Sequence, residues 1–491
     1  MKLLHFLLTS LRALARTLLL LLLLAVLFAS YRIITSEQVD PADKIASKSA
    51  YLERIANQDN NRGNRPNVIF ILFDDMGYGD IGAGAIDNQL VDTPHIDQLA
   101  ANGVVLTDFY APAPVCTPSR AGFLTGRLPS RAGLPYVVFP SDTAKGVVFD
   151  RILKPEAHNR LPSEEITLAD LFGAAGYATG MIGKWHLGDV SPSLPNDMGF
   201  NSFFGSLYSN DMEPFALYRD TSIAVAAPVD QRRLTELYTD EAISFIDNHA
   251  QENFFLYFAH NFPHDPLAVR AERSGKSDAG LYGDVLEEID DSIGEIVDAL
   301  RRTDNLDNTL IIVSSDNGPW FLGNAGDHRG RKGNTFEGGM RVPFIAHWPA
   351  AIPAGRVETA MAMGTDLVPT MLDIIKIPAP ADRILDGRSL LKVLTTGASS
   401  PHDYLYYYDG ETLYAVRDQQ FKYRAPAGVF YATDEMPFAP AMPQKEWMFD
   451  LQRDPRESYD IGARYPEELK RLRAAFKVKL DEMEANRRGW L

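Results

Sequence analysis

The sequence predicts an α/β protein with a large, mostly parallel mixed sheet flanked by helices, followed by a smaller antiparallel sheet with a helix. Three observations predict it. Continuous apolar runs at Val68 to Phe73, Ala178 to Ile182, Phe254 to Ala259, Leu310 to Val313 and Pro343 to Ala346 read as strands buried on both faces. Helical patterns near 166–175, 233–249 and 281–302 lie between them, and such alternation builds parallel sheets. After about residue 395 the runs become short, aromatic and separated by turns: Tyr404 to Tyr408, Leu413 to Val416, Phe421 to Arg424 and Trp447 to Asp450. That pattern suits an antiparallel sheet. A final helix is expected from about Pro466, with Leu469, Leu472, Phe476, Leu480 and Met483 on one face.

The N-terminus divides differently. Lys2, Arg12 and Arg16 precede an apolar run from Leu18 to Ala29, and no acidic residue occurs before Glu37. A basic flank followed by a short apolar run is the layout of an export signal. The run falls below the roughly 20 residues that span a bilayer, although Ile33 and Ile34 extend it toward an uncleaved anchor. The basic flank would keep the amino end in the cytoplasm and the body on the periplasmic or extracellular side, released or tethered through residues 17–34. Residues 36–65 are polar without sustained periodicity and read as a linker. The expected division is 1–35 signal peptide or signal anchor, 36–65 linker, 66–395 main domain and 396–491 C-terminal α+β subdomain.

Composition is that of a globular protein, with 45% hydrophobic and 23% charged residues. A formal net charge of -17 argues against nucleic-acid partners, which need a surplus of Lys and Arg. It also means that an anionic substrate must be captured by a local cluster of cations. A single cysteine, Cys116, excludes an internal disulfide framework and a Cys-based zinc site. Taken alone it would be an inert buried thiol.

Candidate functional residues sit where the apolar runs end. Asp74 and Asp75 follow the first, Lys184 and His186 the second, His264 the third, and Asp316 and Asn317 the fourth. In open α/β sheets the ligand crevice lies at the carboxyl ends of the strands. One such polar pair is usually a solvated loop; four converging sets are not. The aspartates and Asn317 offer only oxygen donors, which favours Ca²⁺, with Mg²⁺ second, over zinc. Lys184 and His186 are two residues apart and would share one face of an extended segment, with Trp185 on the other.

Cys116-Thr-Pro-Ser-Arg120 supplies the remaining part. Thr117 is a suitable N-cap and Pro118 a first-turn residue, so a helix is expected directly after the cysteine, ending near Gly126. Helix N-termini attract anions, and Arg120 would return a bidentate cation to the same place. As a plain thiol, Cys116 could be an ordinary nucleophile, but cysteine–histidine catalysis would leave the carboxylates and lysines without a role.

C-T-P-S-R followed by A-G-F-L-T-G-R resembles the signature of type I sulfatases of the alkaline phosphatase superfamily. The resemblance runs from Pro66 to about Ile461. It takes in N-V-I-F-I-L-F-D-D-M-G-Y-G-D, G-K-W-H-L-G, Y-S-N-D-M, F-F-L-Y-F-A-H-N-F-P-H, S-D-N-G-P, R-K-G-N-T-F-E-G-G-M-R-V-P and M-F-D-L-Q-R-D-P-R-E. Y-S-N-D and E-R-S-G (272–275) are most similar to the arylsulfatase A branch. The resemblance implies a sulfuric ester hydrolase whose Cys116 is converted by a formylglycine-generating maturase. It implies Asp74, Asp75, Asp316 and Asn317, together with the modified Cys116, as Ca²⁺ ligands, and Arg120 as stabiliser of the hydrated aldehyde. It further implies Lys184, Ser209, His264 and Lys332 as sulfate-binding groups, His186 as base, and a sulfate-ester small molecule or sulfated glycan as substrate. His95, His260, His347 and His402 are expected to be structural, and the 323–331 loop with His328 to face substrate. Two rivals stand beside this reading. One is a phosphate or phosphonate monoester hydrolase of the same superfamily; the other is an unmatured binder of sulfated glycans.

Overall fold

The computed structural model describes residues 1–35, 40–58, 65–82, 90–153, 159–426, 430–431, 439–440 and 445–491. Its centre is a ten-stranded mixed sheet. In spatial order the strands are Arg356–Glu358, Val104–Leu106, Phe344–His347, Thr309–Ser315, Asn67–Phe73, Phe254–Ala259, Ala178–Lys184, Ser202–Ser206, Leu217–Arg219 and Ser222–Val225. The strands from 309–315 to 202–206 are mutually parallel, with Asn67–Phe73 in the middle of the sheet. Phe344–His347, the expected fifth apolar run, is antiparallel to its neighbours, and Leu217–Arg219 and Ser222–Val225 add antiparallel pairings at the other end, so the sheet is mixed.

Alternate residues of the central strand go to opposite faces, which is why its run is apolar throughout. Val68, Phe70 and Leu72 join one core; Ile69, Ile71 and Phe73 join the other. On the second face lie helices Leu234–Asn248 and Gly280–Arg302, close to their expected positions. Leu168–Ala174 lies on the first face and is opened by a reciprocal capping box between Thr167 and Asp170. Gly183 has φ +104, and a Cβ there would stand 1.9 Å from the Ala259 carbonyl oxygen. Only glycine lets these two neighbouring strands meet as they do next to Lys184.

The C-terminal unit has the expected form. Leu405–Asp409, Thr412–Arg417, Phe421–Arg424 and Trp447–Asp450 make an antiparallel four-stranded sheet. Helix Pro466–Ala485 covers it, burying Leu472 and Met483 and half-burying Leu469, Phe476 and Leu480.

Three expectations need correction. The 36–65 segment, read as an aperiodic linker, contains helix Ala42–Ala56, which inserts Tyr51 and Ile55 into the main core. Lys48 on the same face pairs with Asp170 at 2.8 Å. Only this narrow face is buried, so its signal is lost among polar residues. At the N-terminus one helix runs from Lys2 to Thr35 and carries an apolar stretch from Thr9 to Ile34, 26 residues with none of it buried. That is long enough to cross a membrane, unlike the shorter run read from the leucines alone. Finally, helix Cys116–Thr125 begins at the cysteine itself, with Val115 in the cap position, so Thr117 is not the cap. Its hydroxyl instead accepts the Val138 N–H at 3.4 Å.

Candidate active site

Four adjacent parallel strands end on one edge and bring their following residues together. Asp74 and Asp75 leave the central strand, and Asp75 adopts φ 69, turning the chain sharply so that both carboxylates face the crevice. The Asp75 N–H donates to Asp316 Oδ1 at 3.2 Å, tying the first strand end to that of Thr309–Ser315. Cys116 Sγ sits 3.1 Å from Asp74 Oδ1 and 4.0 Å from Asp75 Oδ1. The ligating atoms of Asp74, Asp75, Cys116 and Asp316 all lie within 4.8 Å of one another, and all four residues are buried.

Three cations answer three carboxylates. Arg120, wholly buried, donates Nε to Asp316 Oδ2 at 2.9 Å and Nη1 to the Lys184 carbonyl at 2.7 Å, with Nη2 3.7 Å from Asp74. It is thus fixed on the carboxylates and on the end of a neighbouring strand. Lys184 Nζ donates to Asp74 Oδ2, and Lys332 Nζ to Asp75 Oδ2 at 2.8 Å. Burial alone would raise the Asp74 carboxyl, but Lys184, His264, Arg120 and Lys332 hold it well below the usual range. Asp316, buried and facing the charge of Asp74, is pushed up to about 7. Burial, reinforced by Asp316 and Asp74, drives the Cys116 thiol well above its ordinary value, the opposite of an activated thiolate.

Burial lowers the pKa of both histidines. Burial, then Lys184 and Arg120, hold His186 well below its normal pKa. Its Nε2–H donates to the Val138 carbonyl at 3.1 Å, which leaves Nδ1 with a free lone pair and no protein partner. Its φ of 61 ends the extended segment, and the Tyr208 ring packs edge-on at 5.7 Å. His264 donates Nδ1–H to the Asp265 carbonyl and sets Nε2 3.8 Å from Asp75; burial and Lys332 lower its pKa. Ser209 is fully buried and its Oγ finds no partner, as does Asn317 Oδ1. Asn317 Nδ2 donates to Asp75 Oδ1 at 2.7 Å.

The sequence therefore named the residues of one cluster. For Ser209 the structure gives a buried, unpartnered hydroxyl but no contact with the carboxylates. What sequence reasoning missed is backbone: the carbonyls of Val138, Asp265 and Lys184 orient His186, His264 and Arg120, and no residue type signals them. Other histidines have structural partners: His402 bonds Asp366 at 2.8 Å, and His260 accepts the Phe262 N–H at 2.9 Å.

The sulfatase family model matches residues 66–377, well over half of the chain. The chain belongs to the sulfatase family. It is a sulfuric ester hydrolase. A second model, N-sulphoglucosamine sulphohydrolase, C-terminal, matches residues 331–486. N-acetylgalactosamine-6-sulfatase of Mus musculus is 36% identical over 380 residues, 73% of this chain and 71% of that protein. Arylsulfatase A of Homo sapiens is 33% identical over 470 residues, 85% of this chain and 88% of its own length. Among solved structures, the PsFucS1 sulfatase from Pseudoalteromonas sp. superposes with a TM-score of 0.76 at 28% identity, covering 91% of this chain and 95% of that one. The large sheet with its small antiparallel appendage is thus the sulfatase fold, and the strand-end cluster lies within the matched region.

Proposed function

We propose that this sulfatase works through a formylglycine made from Cys116 by a dedicated maturase, beside a divalent cation held by Asp74, Asp75, Asp316 and Asn317. The observation that carries the reading is the placement of Cys116. Its Sγ lies 3.1 Å from a buried carboxylate, at a helix start, with a raised thiol pKa. A thiol so placed is a poor nucleophile, whereas an aldehyde oxygen in its position would have cation and carboxylate partners.

The donor set fits the cation. Three buried carboxylates converge, and the Asn317 amide oxygen is left without a protein partner. Amide orientation is interchangeable at such a site, so that oxygen is available as a fourth hard donor. All-oxygen donors suit Ca²⁺ in preference to Mg²⁺, which keeps more of its water. When bound, the ion supplies positive charge against the sulfate oxygens.

The chain's own residues would do the rest. Lys184 and Lys332, each anchored on a carboxylate, offer ammonium groups to the sulfate oxygens as charge builds. Arg120 fixes Asp316 and the Lys184 backbone and stabilises the hydrated aldehyde. One hydroxyl oxygen of the hydrated aldehyde at residue 116 would bond to sulfur as the bond to the alcohol breaks, and the leaving alcohol would take its proton from the Lys332 ammonium, beside His264. His186, neutral and with Nδ1 free, accepts the proton of the second hydroxyl, so that sulfate is expelled without water attacking sulfur. Ser209 Oγ, unpartnered, is a further donor for the sulfate.

The substrate class proposed is a sulfated carbohydrate. Support comes from solved relatives: one, at 26% identity and a TM-score of 0.70, is described in complex with a neocarrahexaose. Helix Lys2–Thr35 would act as export signal or anchor, with Lys2, Arg12 and Arg16 on the cytoplasmic side.

The test is the mass of the peptide spanning Thr107 to Arg127 from active enzyme, combined with Cys116→Ser. The expected result is an aldehyde-bearing peptide, and a variant that releases one equivalent of alcohol and then stops. A pure thiol in fully active enzyme, or repeated turnover by Cys116→Ser, would sink the reading.

A further inference from the structure

An opening that shares no lining residue with the strand-end cluster lies at the C-terminal unit. It is a cleft of about 830 Å³ between the main sheet and the C-terminal unit. One wall is the 323–331 loop, contributing Asn324 and His328; the other includes Gln419 and Gln452 from the C-terminal unit, with Tyr78 between them. The cleft is continuous in sequence with the catalytic machinery on both sides. Tyr78 comes three residues after Asp75, and His328 four residues before Lys332.

Its chemistry is specific. The two arginines in its lining are already committed: Arg341 and Arg417 both bond Asp108, the latter at 3.1 Å. Asp327 at the rim pairs with Arg456. The lining thus holds little free charge of either sign, unlike the strand-end cluster, where three ammonium or guanidinium groups converge. Uncommitted hydrogen-bonding capacity comes from neutral groups. His328 donates Nδ1–H to the Pro455 carbonyl at 3.2 Å, and burial and Arg341 hold it neutral, so Nε2 presents a lone pair. Exposed Gln452 adds an amide that both donates and accepts, and exposed Gln419, whose Nε2 donates to the Thr359 carbonyl at 2.7 Å, adds an acceptor oxygen; the Asn324 amide is held by Gly79 and Gly326. The half-buried Tyr78 ring, fixed edge-on against His328 at 5.2 Å and by the Arg341 guanidinium at 5.1 Å, supplies a rigid apolar surface.

Neutral amides around a fixed ring, with the ions internally paired, suit a ligand that has many hydroxyls and apolar C–H faces but no charge. We propose that this cleft is a distal subsite for uncharged saccharide units of a glycan whose sulfated residue occupies the catalytic cluster. The proposal deepens the carbohydrate reading above and rests on it for the neighbouring sulfate. Binding of the neutral part is a property of the cleft alone. A polyanion would gain little here, because its charges would meet arginines already paired with Asp108 and, for Arg341, with Glu337 as well.

The test uses full-length matured enzyme and three neutral hexasaccharides, of agarose, chitin and laminarin type, titrated by calorimetry. A sulfated heparin hexasaccharide is titrated in parallel. At least one neutral hexasaccharide is expected to bind, and Gln419→Ala with Gln452→Ala to weaken it about tenfold, about 1.4 kcal/mol. Both glutamines are exposed, so loss of fold is not at issue; Tyr78→Phe, which keeps the ring, should retain binding. The idea is overturned if no neutral hexasaccharide binds, if the glutamine variants bind as wild type does, or if the heparin fragment alone binds in a manner sensitive to them. Turnover of 4-methylumbelliferyl sulfate by the same samples reports the catalytic reading separately. Active enzyme with an indifferent cleft refutes only the subsite; inactive enzyme whose cleft binds sugar refutes only the catalytic assignment.

Discussion

Two buried clusters of charge in this protein are built to different specifications. In the strand-end cluster, Asp74, Asp75 and Asp316 face Arg120, Lys184 and Lys332, yet His186 Nδ1, Asn317 Oδ1 and Ser209 Oγ are left without partners. In the second, at the junction with the C-terminal unit, Lys422 Nζ lies 3.0 Å from Glu337 and 2.9 Å from Glu457. There Tyr110 donates to Glu337 at 2.7 Å, and the Glu337 N–H donates to Glu457 at 2.7 Å. Glu337 is brought down to about 2, because Lys422, Arg417 and Arg341 overcome the effect of burial. Burial and high charge density are therefore not what marks an active site. What sets the strand-end cluster apart is that several orphaned polar atoms converge there beside the charges, whereas orphans such as Trp348 Nε1 and His347 Nδ1 lie away from it.

The sharpest way to break this comparison is to remove one member from each cluster. Lys422→Met should destabilise the fold by about 3–5 kcal/mol, since two buried glutamates lose their shared cation. The same change should leave kcat for an aryl sulfate close to normal in whatever protein remains folded. Cys116→Ala should do the reverse, abolishing turnover with a thermal midpoint near that of the wild type. Chemical denaturation beside steady-state kinetics checks both. If Lys422→Met lost activity without losing stability, the division between the two clusters would be wrong.

A smaller effect separates the histidines. His260 is buried with its ring against Tyr238, Phe258 and Phe262 of the second-face core, and burial lowers its pKa to about 3. In the unfolded chain it would titrate near 6.5. Protons therefore bind the unfolded state preferentially: the stabilising contribution is complete above about pH 6.5 and is lost as pH falls toward 3. Each pH unit well inside that window costs about 1.4 kcal/mol, so about 3 kcal/mol should go between about pH 6.5 and about pH 4. His260→Gln, which can still accept the Phe262 N–H, should flatten this slope in urea titrations at several pH values. An unchanged slope would assign acid sensitivity to other groups.

Much of the architecture and of the cluster was legible because central parallel strands must be apolar on both faces. Their ends are then the first polar residues, and Asp74, Lys184, His264 and Asp316 stand at or just beyond those ends. The same logic fails at the edges. Ser222–Val225 lies at the sheet margin, and three of its four residues are exposed, so no apolar run announces it. Helix Ala42–Ala56 buries one thin face and looks polar throughout. The helix cap was misplaced by two residues because Thr117, a good N-cap by type, spends its hydroxyl on Val138, a contact between residues 21 apart. The saccharide cleft was invisible for a related reason. Its walls come from segments around 78, 328, 419 and 452, and no local pattern joins them.

The smallest expected effect tests the cation. If Asp74, Asp75, Asp316 and Asn317 hold Ca²⁺, the ion binds the native state alone and must stabilise it by mass action, whatever happens in catalysis. At about a hundredfold excess over the dissociation constant the gain is about 2.7 kcal/mol. It should appear as a rise in the thermal midpoint on adding Ca²⁺ to protein treated with a chelator. Asp316→Asn should shrink that rise, because it removes one of three converging carboxylates. Gln419→Ala should keep it in full, since it removes no carboxylate from the strand-end cluster and unpairs none elsewhere. An equal Ca²⁺ shift in all three proteins would place the ion elsewhere, on the acidic surface expected of a chain with net charge -17. The orphaned Asn317 oxygen would then need another partner.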